Sequence, residues 1–436
     1  MTDFSHVAQQ VYAHCQQLAS FSQASDNMDR RYLTPQHQQA NEQVAQWMQQ
    51  AGMNTWQDAV GNQWGRFASS TSNAPTLIIG SHLDTVPNGG KYDGILGVLL
   101  PLGLLLHCFE HDINFPFHID LVGFGDEEGT RFGSTLLGSR GVTGNWDAEW
   151  ANLTDADNIS LPDALQAFGL DFADVGAAAR TQEDLLAFLE VHIEQGPVLE
   201  NENLPVGVVT SIAGAKRFNL TVTGKAGHAG TVPMPMRQDA LVAASEMIIA
   251  ISEIAAEHQI VATSGFIENK PNAVNVISQT TQFSIDIRAE NDSDRDQALE
   301  AIETRLAEIA TQRNVSLMWE NTHSAPAVHC APELQDLFTT AVENCGIRPL
   351  KLLSGAGHDA MEMAKLCPMA MLFTRCAGGI SHHPGESVEV EDIEATLQVL
   401  YNSLQLLSQQ SFSQQSNSSE QAQAQNEEQD QPEALL

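Results

Sequence analysis

Positive charge is scarce in this chain. Lys and Arg total 20 of 436 residues against 55 Asp and Glu, a formal net charge of -35, so neither nucleic acid nor an anionic membrane surface is an expected partner. The same imbalance repels anionic small molecules at long range, and a carboxylate-bearing substrate would need Arg or Lys inside its pocket. Six cysteines (Cys15, Cys108, Cys330, Cys345, Cys367, Cys376) occur without any C-x-x-C, so a zinc knuckle or a disulfide framework is not indicated. Long apolar runs are missing too. The longest, Ile95 to Leu106, contains Pro101, is too short to span a bilayer and reads as a buried helix. The first residues, M-T-D-F-S-H-V-A-Q-Q, have no basic start and no apolar stretch, so an ordinary secretory signal is not expected and a cytoplasmic enzyme is.

What is present is a set of histidines and carboxylates at strand ends. Thr76 to Ile79 (T-L-I-I) reads as a buried strand that runs into G-S-H-L-D-T-V-P-N-G-G-K-Y-D-G, carrying His82 and Asp93, at the edge where open α/β sheets place their active sites. Leu121 to Gly129 (L-V-G-F-G-D-E-E-G) repeats the design with Asp126, Glu127 and Glu128. Three adjacent acids repel one another unless a cation sits among them. Phe188 to Glu194 carries His192, and G-I-S-H-H-P-G-E near the carboxyl end supplies His382 and His383. Imidazole and carboxylate suit borderline or hard divalent cations, and one carboxylate can bridge two ions. Adjacent Glu residues can divide labour, one binding metal while the other moves protons.

A length of 436 residues with 42% hydrophobic composition predicts roughly two or three domains with real cores. Up to about Ser211, apolar strands alternate with helical stretches as in an α/β layered domain. The pattern then becomes Phe218 to Thr223 strand, Arg237 to Glu257 helix, Ile260 to Glu268 and Gln282 to Arg288 strands, Asp292 to Arg313 helix and Val315 to Glu320 strand. That order is βαββαβ, the ferredoxin-like split unit, inserted into the first domain. The α/β pattern resumes after about Ala327. The expected boundaries are therefore a catalytic domain over 1–212 and 328–408, an insert over 213–327, and a Gln- and Ser-rich tail over 409–436 that lacks the apolar surface to order itself.

These segments, together with G-K-A-G-H-A-G-T-V-P-M at Gly224 to Met234, G-F-G-D-E-E-G-T-R-F-G-S at Gly123 to Ser134 and S-G-A-G-H-D at Ser354 to Asp359, closely resemble the carbamoylase branch of the dinuclear metallo-aminoacylase and carboxypeptidase family. Its members include N-carbamoyl-L-amino acid hydrolases, allantoate amidohydrolases, ureidoglycolate amidohydrolases and β-ureidopropionases. The resemblance runs from about residue 30 to 405. It implies an α/β, dinuclear-metal aminopeptidase-like catalytic domain whose ferredoxin-like insert serves as a dimerisation and lid domain, and it implies a homodimer.

On that pattern His82 and His192 each bind one metal, Asp93 bridges both ions, and Glu128 and His382 complete the second site. The ions would be zinc or manganese, with cobalt or nickel as further options. Glu127 is the implied general base and His228 the oxyanion donor. Gln195, Asn275, Arg288 and His358 map to substrate binding, with Arg217 and Lys216 near the domain crossover as possible assistants to Arg288. Chemistry favours Arg288, since a guanidinium fork matches a carboxylate. Asp84, two residues beyond His82, is placed to accept the other imidazole N–H. Asp126 has a supporting role and Ser134 a structural one. The branch commonly has I-S-H-N-P-A-E where this chain has His383 and Gly385; His382 aligns with the ligand, and the choice between the two imidazoles stays open on sequence. The expected reaction is hydrolysis of an N-carbamoyl or ureido group on a small carboxylate. N-carbamoyl-L-amino acids come first, then allantoate or β-ureidopropionate, more distantly peptidase or deacylase chemistry, and from another class a non-catalytic binding module.

Overall fold

The structure, a computed structural model, describes residues 2–429, with side chains through 410. It divides into two compact units. One comprises 1–210, 330–352 and the residues from 358 on; the other comprises 211–329 with 353–357.

In the first unit a mixed sheet runs in the order Asn54–Gln57, Gln63–Phe67, His118–Phe124, Thr76–His82, Leu185–Ile193, Met369–Thr374, Val206–Ile212. The four strands from His118–Phe124 to Met369–Thr374 are mutually parallel, and antiparallel partners flank them. Every residue of Thr76–His82 is buried, which is why this strand reads as a continuous apolar run rather than an alternation. The helix Ile95–Glu110 is buried on nearly all sides, Pro101 included, as its all-round apolar composition requires. It lies close against Leu185–Ile193 because residue 97 is glycine. A Cβ there would sit 2.0 Å from the Val191 carbonyl oxygen, a contact no side chain tolerates. Among the described residues no helix is long and apolar enough to cross a membrane.

The second unit is an antiparallel sheet in the order Ile267–Lys270, Thr280–Ala289, Gly214–Thr223, Ser316–Ala325, with Val261–Thr263 also paired to Thr280–Ala289. Period-two patterning sorts its faces. Phe218, Leu220, Val222, Phe283, Ile285 and Ile287 pack on Ala243, Met247, Ile251, Ile302 and Leu306 of the helices Ala240–Glu257 and Asp292–Arg313. Each such large side chain contributes about 1.5–3 kcal/mol on burial. The alternate positions carry Arg217, Asn219, Ser284, Asp286 and Arg288, which line a cavity of about 640 Å³. The single strand expected over 260–268 is two short pieces. Thr263 pairs with Asp286 and Ile267 with Phe283, so four steps along one strand meet three on the other, a bulge that interrupts the ladder.

The last helix is Val390–Gln429. The tail expected to lack order, 409–436, lies outside the described residues for its side chains from 411 and entirely from 430.

Candidate metal centre

Three parallel strands deliver their carboxyl ends to one place in the first unit. His82 is the last residue of Thr76–His82, His192 the penultimate residue of Leu185–Ile193, and the acidic run follows His118–Phe124. Local backbone then aims the side chains. Gly94, at φ 70°, precedes the helix Ile95–Glu110, and a Cβ on it would lie 2.4 Å from three atoms of the His82 ring. Only glycine lets Asp93 and His82 converge here. Asp126, Gln195 and His382 adopt left-handed φ of 61°, 56° and 54°, a conformation costly outside glycine and concentrated at working sites.

Asp93 is the hub. Its Oδ1 lies 3.1 Å from His192 Nε2 and 3.7 Å from His82 Nε2, while its Oδ2 lies 3.1 Å from His382 Nε2. His382 Nε2 is also 3.4 Å from Glu128 Oε1. Ligand atoms of His82, Asp93 and His192 fall within 4.8 Å of one another, as do those of Asp93, Glu128 and His382, and those of His82, Glu127 and Glu128. The structure brings His382 into the cluster and leaves His383 outside it, exposed, its Nδ1 accepting from the Gly385 amide at 3.0 Å.

The donor set fits divalent cations. His192 Nδ1 donates to the Ile193 carbonyl at 2.9 Å and His82 Nδ1 to the Asp84 carbonyl at 3.0 Å, which fixes each ring with Nε2 as the free lone pair. His192 Nε2 is buried and, though 3.1 Å from Asp93 Oδ1, is not aligned to hydrogen-bond it. Asp84 thus holds His82 through its main chain; its carboxylate, 3.6 Å from Nδ1, accepts the Glu127 and Glu128 amides at 3.1 and 3.2 Å. A carboxylate placed so fixes the turn that presents both glutamates.

Protonation follows the crowding. Burial opposes ionisation of Asp93, yet contacts with His192, His382 and His82 hold its carboxyl well below the usual range. Burial likewise disfavours a charged His82, but Asp93, Asp84 and Glu127 outweigh it and push the imidazole well up. Asp93 raises His382 to about 9. Burial and then Asp93 push Glu128 up to about 7. Desolvation, with Glu128 and Asp359 adding repulsion, raises Glu127 well above an ordinary carboxylate. Asp126 is fully buried and both its oxygens lack hydrogen-bond partners among the described residues; burial, with Asp84 adding repulsion, raises it strongly. His358 is buried with its ring edge-on to His192, centroids 4.4 Å apart, and burial keeps it neutral.

Gln195 belongs to the same network, its Nε2 donating to Asp93 Oδ2 and Ser381 Oγ, each at 3.1 Å. Glu386, which sequence reasoning did not single out, accepts the Tyr92 and Asp93 amides at 2.8 and 3.1 Å. Glu190 is a second omission, with Oε1 taking the Ser81 hydroxyl at 2.7 Å and Oε2 the Ala360 amide at 3.0 Å. Both are buried acids, and a Glu inside the apolar strand F-L-E-V-H-I is the signal that could have exposed the second.

Three expected site residues and the two expected assistants, Arg217 and Lys216, lie in the second unit. His228 is exposed on the short strand Gly227–His228, paired with Val276. The Gly230 amide donates to its Nδ1 at 3.1 Å, which leaves Nε2–H as an outward donor. Asn275 is adjacent, its carbonyl accepting the Ala229 amide at 2.9 Å. Arg288 lines the cavity on the sheet face, but its side fork is already filled: Nε and Nη2 bond the two Asp286 oxygens at 2.9 and 2.8 Å, and Nη1 bonds the Gly355 carbonyl. Arg217 shares Asp286 at 2.9 Å, and Lys216 pairs with Asp296.

Residues 78–406 match the model of the Peptidase family M20/M25/M40. An N-carbamoyl-L-amino acid amidohydrolase of Geobacillus stearothermophilus is 38% identical over 388 residues, 89% of this chain and 95% of the relative. An allantoate deiminase of Arabidopsis thaliana is 35% identical over 421 residues, 88% of this chain and 80% of the relative. Among solved structures, an amidase of the hydantoinase/carbamoylase family from Burkholderia multivorans superposes with a TM-score of 0.86 at 31% identity, covering 91% of this chain and 97% of that one. Sheet order, the strand-end histidines and carboxylates and these likenesses agree, and the chain belongs to the Peptidase family M20/M25/M40.

Proposed function

We propose that this protein is an amidohydrolase that removes the carbamoyl group of N-carbamoyl-L-amino acids, releasing the amino acid, ammonia and carbon dioxide with consumption of one water. The observation that carries the reading is the division of Asp93, with Oδ1 facing His82 and His192 and Oδ2 facing His382, which in turn lies 3.4 Å from Glu128 Oε1, and it supports two ion positions bridged by one carboxylate. Two divalent cations would supply Lewis-acid chemistry there, acidifying water toward neutrality and polarising the carbonyl. Glu127, beside His82 and Glu128 and with a raised proton affinity, takes the proton of the attacking water and returns it to the leaving nitrogen. Asp84 holds that base in place through its amide.

A second reading, allantoate as substrate, is favoured by the 35%-identical Arabidopsis thaliana relative. The two separate in a product assay on N-carbamoyl amino acids, allantoate, N-acyl amino acids and dipeptides. The first reading expects ammonia and free amino acid in equal amounts from the carbamoyl substrates and much slower turnover elsewhere. Amine release without ammonia, from acyl or peptide substrates alone, would overturn it.

We also propose a homodimer in which the second unit of one subunit supplies His228 to its partner's reaction centre, as an oxyanion donor. The exposed, Nε2-protonated ring supports this. Mixing His228→Ala with Glu127→Gln should restore part of the activity, because one hybrid site then holds both groups. No recovery after verified subunit exchange contradicts the arrangement.

A further inference from the structure

We propose that Glu386 is a positioning residue for the metal centre, bringing the segment that carries Asp93 and the loop that carries His382 into register before any cation arrives. The inference rests on the reading of Asp93 and His382 as metal ligands. Glu386 is 4% exposed and makes its contacts across 293 positions of sequence. Its Oε1 accepts two successive main-chain amides, Tyr92 at 2.8 Å and Asp93 at 3.1 Å, which fixes the peptide from which the hub carboxylate projects. Its Oε2 lies 3.1 Å from Ser381 Oγ, and the same hydroxyl lies 3.1 Å from Asp93 Oδ2.

A hydroxyl has one hydrogen, so Ser381 serves one carboxylate at a time. Were Oδ2 to hold a cation, the Ser381 hydrogen would still have Glu386 Oε2 as an acceptor, so that hydroxyl would not be left unpaired. Gln195 closes the bracket from the third side through its bonds to Asp93 Oδ2 and Ser381 Oγ. Room for Glu386 has been made deliberately in the loop opposite: a Cβ at Gly90 would lie 2.1 Å from the Glu386 carboxyl carbon. Ser381 immediately precedes His382, whose left-handed φ of 54° turns the imidazole toward Asp93. Anchoring the residues on either side of that turn is what holds the ligand in its strained conformation.

The test is zinc titration of the metal-free full-length protein by calorimetry, with circular dichroism as the check on folding. Removal of a group that orients a ligand typically costs about 10- to 100-fold in metal affinity, and Glu386→Ala should fall in that range while remaining folded. Glu386→Gln keeps the carbonyl acceptor for both amides but puts an NH2 donor where Oε2 meets the Ser381 hydroxyl, and should lose about three- to tenfold, less than the alanine variant. Ser381→Ala, which keeps the main-chain anchors, should lose about three- to tenfold. Saturating zinc should return most of the turnover of Glu386→Ala, since affinity and not the chemical step is disturbed. Wild-type zinc affinity in Glu386→Ala overturns the proposal, as does a Glu386→Gln protein as weak as the alanine variant, which would assign the effect to charge. Should Glu386→Ala not fold, unchanged affinity in Ser381→Ala overturns it equally. A wild-type protein that binds no zinc overturns the metal reading itself, and the proposal with it.

Discussion

Arg288 offers the sharpest test of the proposal that so acidic a chain acts on an anionic substrate. A guanidinium has five N–H donors; Asp286 occupies two and the Gly355 carbonyl one, which leaves two for a ligand in the cavity of about 640 Å³. Asp286 is itself kept ionised, since burial is outweighed by Arg288 and Arg217, so one carboxylate shared by two guanidiniums leaves one positive charge uncompensated. Two charge-assisted hydrogen bonds at a side chain 27% exposed should contribute about 1.5 kcal/mol each, the lower end for charged partners. Their loss in Arg288→Ala then costs about 3 kcal/mol, or about a hundredfold in kcat/KM. Lysine restores the charge without the fork and should recover about a tenth of the loss. The assay compares an N-carbamoyl amino acid with its carboxamide, which lacks the negative charge. The reasoning requires a large loss on the acid and a small one on the amide. An equal loss on both would mean that Arg288 serves only to hold Asp286 and the Gly355 loop.

Glu127→Gln should keep metal content and fold while kcat falls about 10²- to 10⁴-fold, the range for a positioned acid-base group; loss of metal in that variant would mean that Glu127 and Glu128 exchange roles. The pH dependence of the metal-free protein follows from His382, raised by Asp93 to about 9, and Glu128, raised by burial to about 7. Both hold protons more tightly folded than unfolded, so their stabilisation is complete below the unfolded values and is lost as pH climbs through about 7 and then about 9. The melting temperature of the metal-free protein should fall across that window while bound zinc, which replaces those protons, offsets the fall; a metal-free protein that gains stability with rising pH would contradict the assignment.

Much of the centre was legible because strand ends announce themselves. T-L-I-I before His82 and L-V-G-F before Asp126 are the continuous apolar runs of strands buried on both faces, and the histidine and carboxylates of the cluster stand directly beyond them. The βαββαβ unit was readable for the complementary reason, since period-two and period-3.6 stretches alternate cleanly there. What escaped was set by tertiary contact. Glu386 acts through main-chain amides 293 and more positions away, and no local pattern encodes such a partner. Asp84 sits beside His82 as expected, yet which of its two acceptors takes the imidazole proton depends on where the Glu127 and Glu128 amides lie. The engagement of Arg288 by Asp286 is a two-residue spacing on one strand face that alternation does reveal, but the Gly355 carbonyl comes from a segment that rejoins this unit after 23 intervening residues, 330 to 352. The division of 260–268 is a bulge around Gly265, which only the pairing register discloses.

The central claim is that Asp93 bridges two ions on which turnover depends. Metal analysis of purified wild-type and Asp93→Ala proteins, with ammonia release from an N-carbamoyl amino acid measured on the same samples, tests it directly. The account predicts about two ions per wild-type chain. It predicts that Asp93→Ala, deprived of the oxygens that face His192 and His382, loses both metal and turnover. An Asp93→Ala protein with the wild-type complement of metal and the wild-type rate would contradict it.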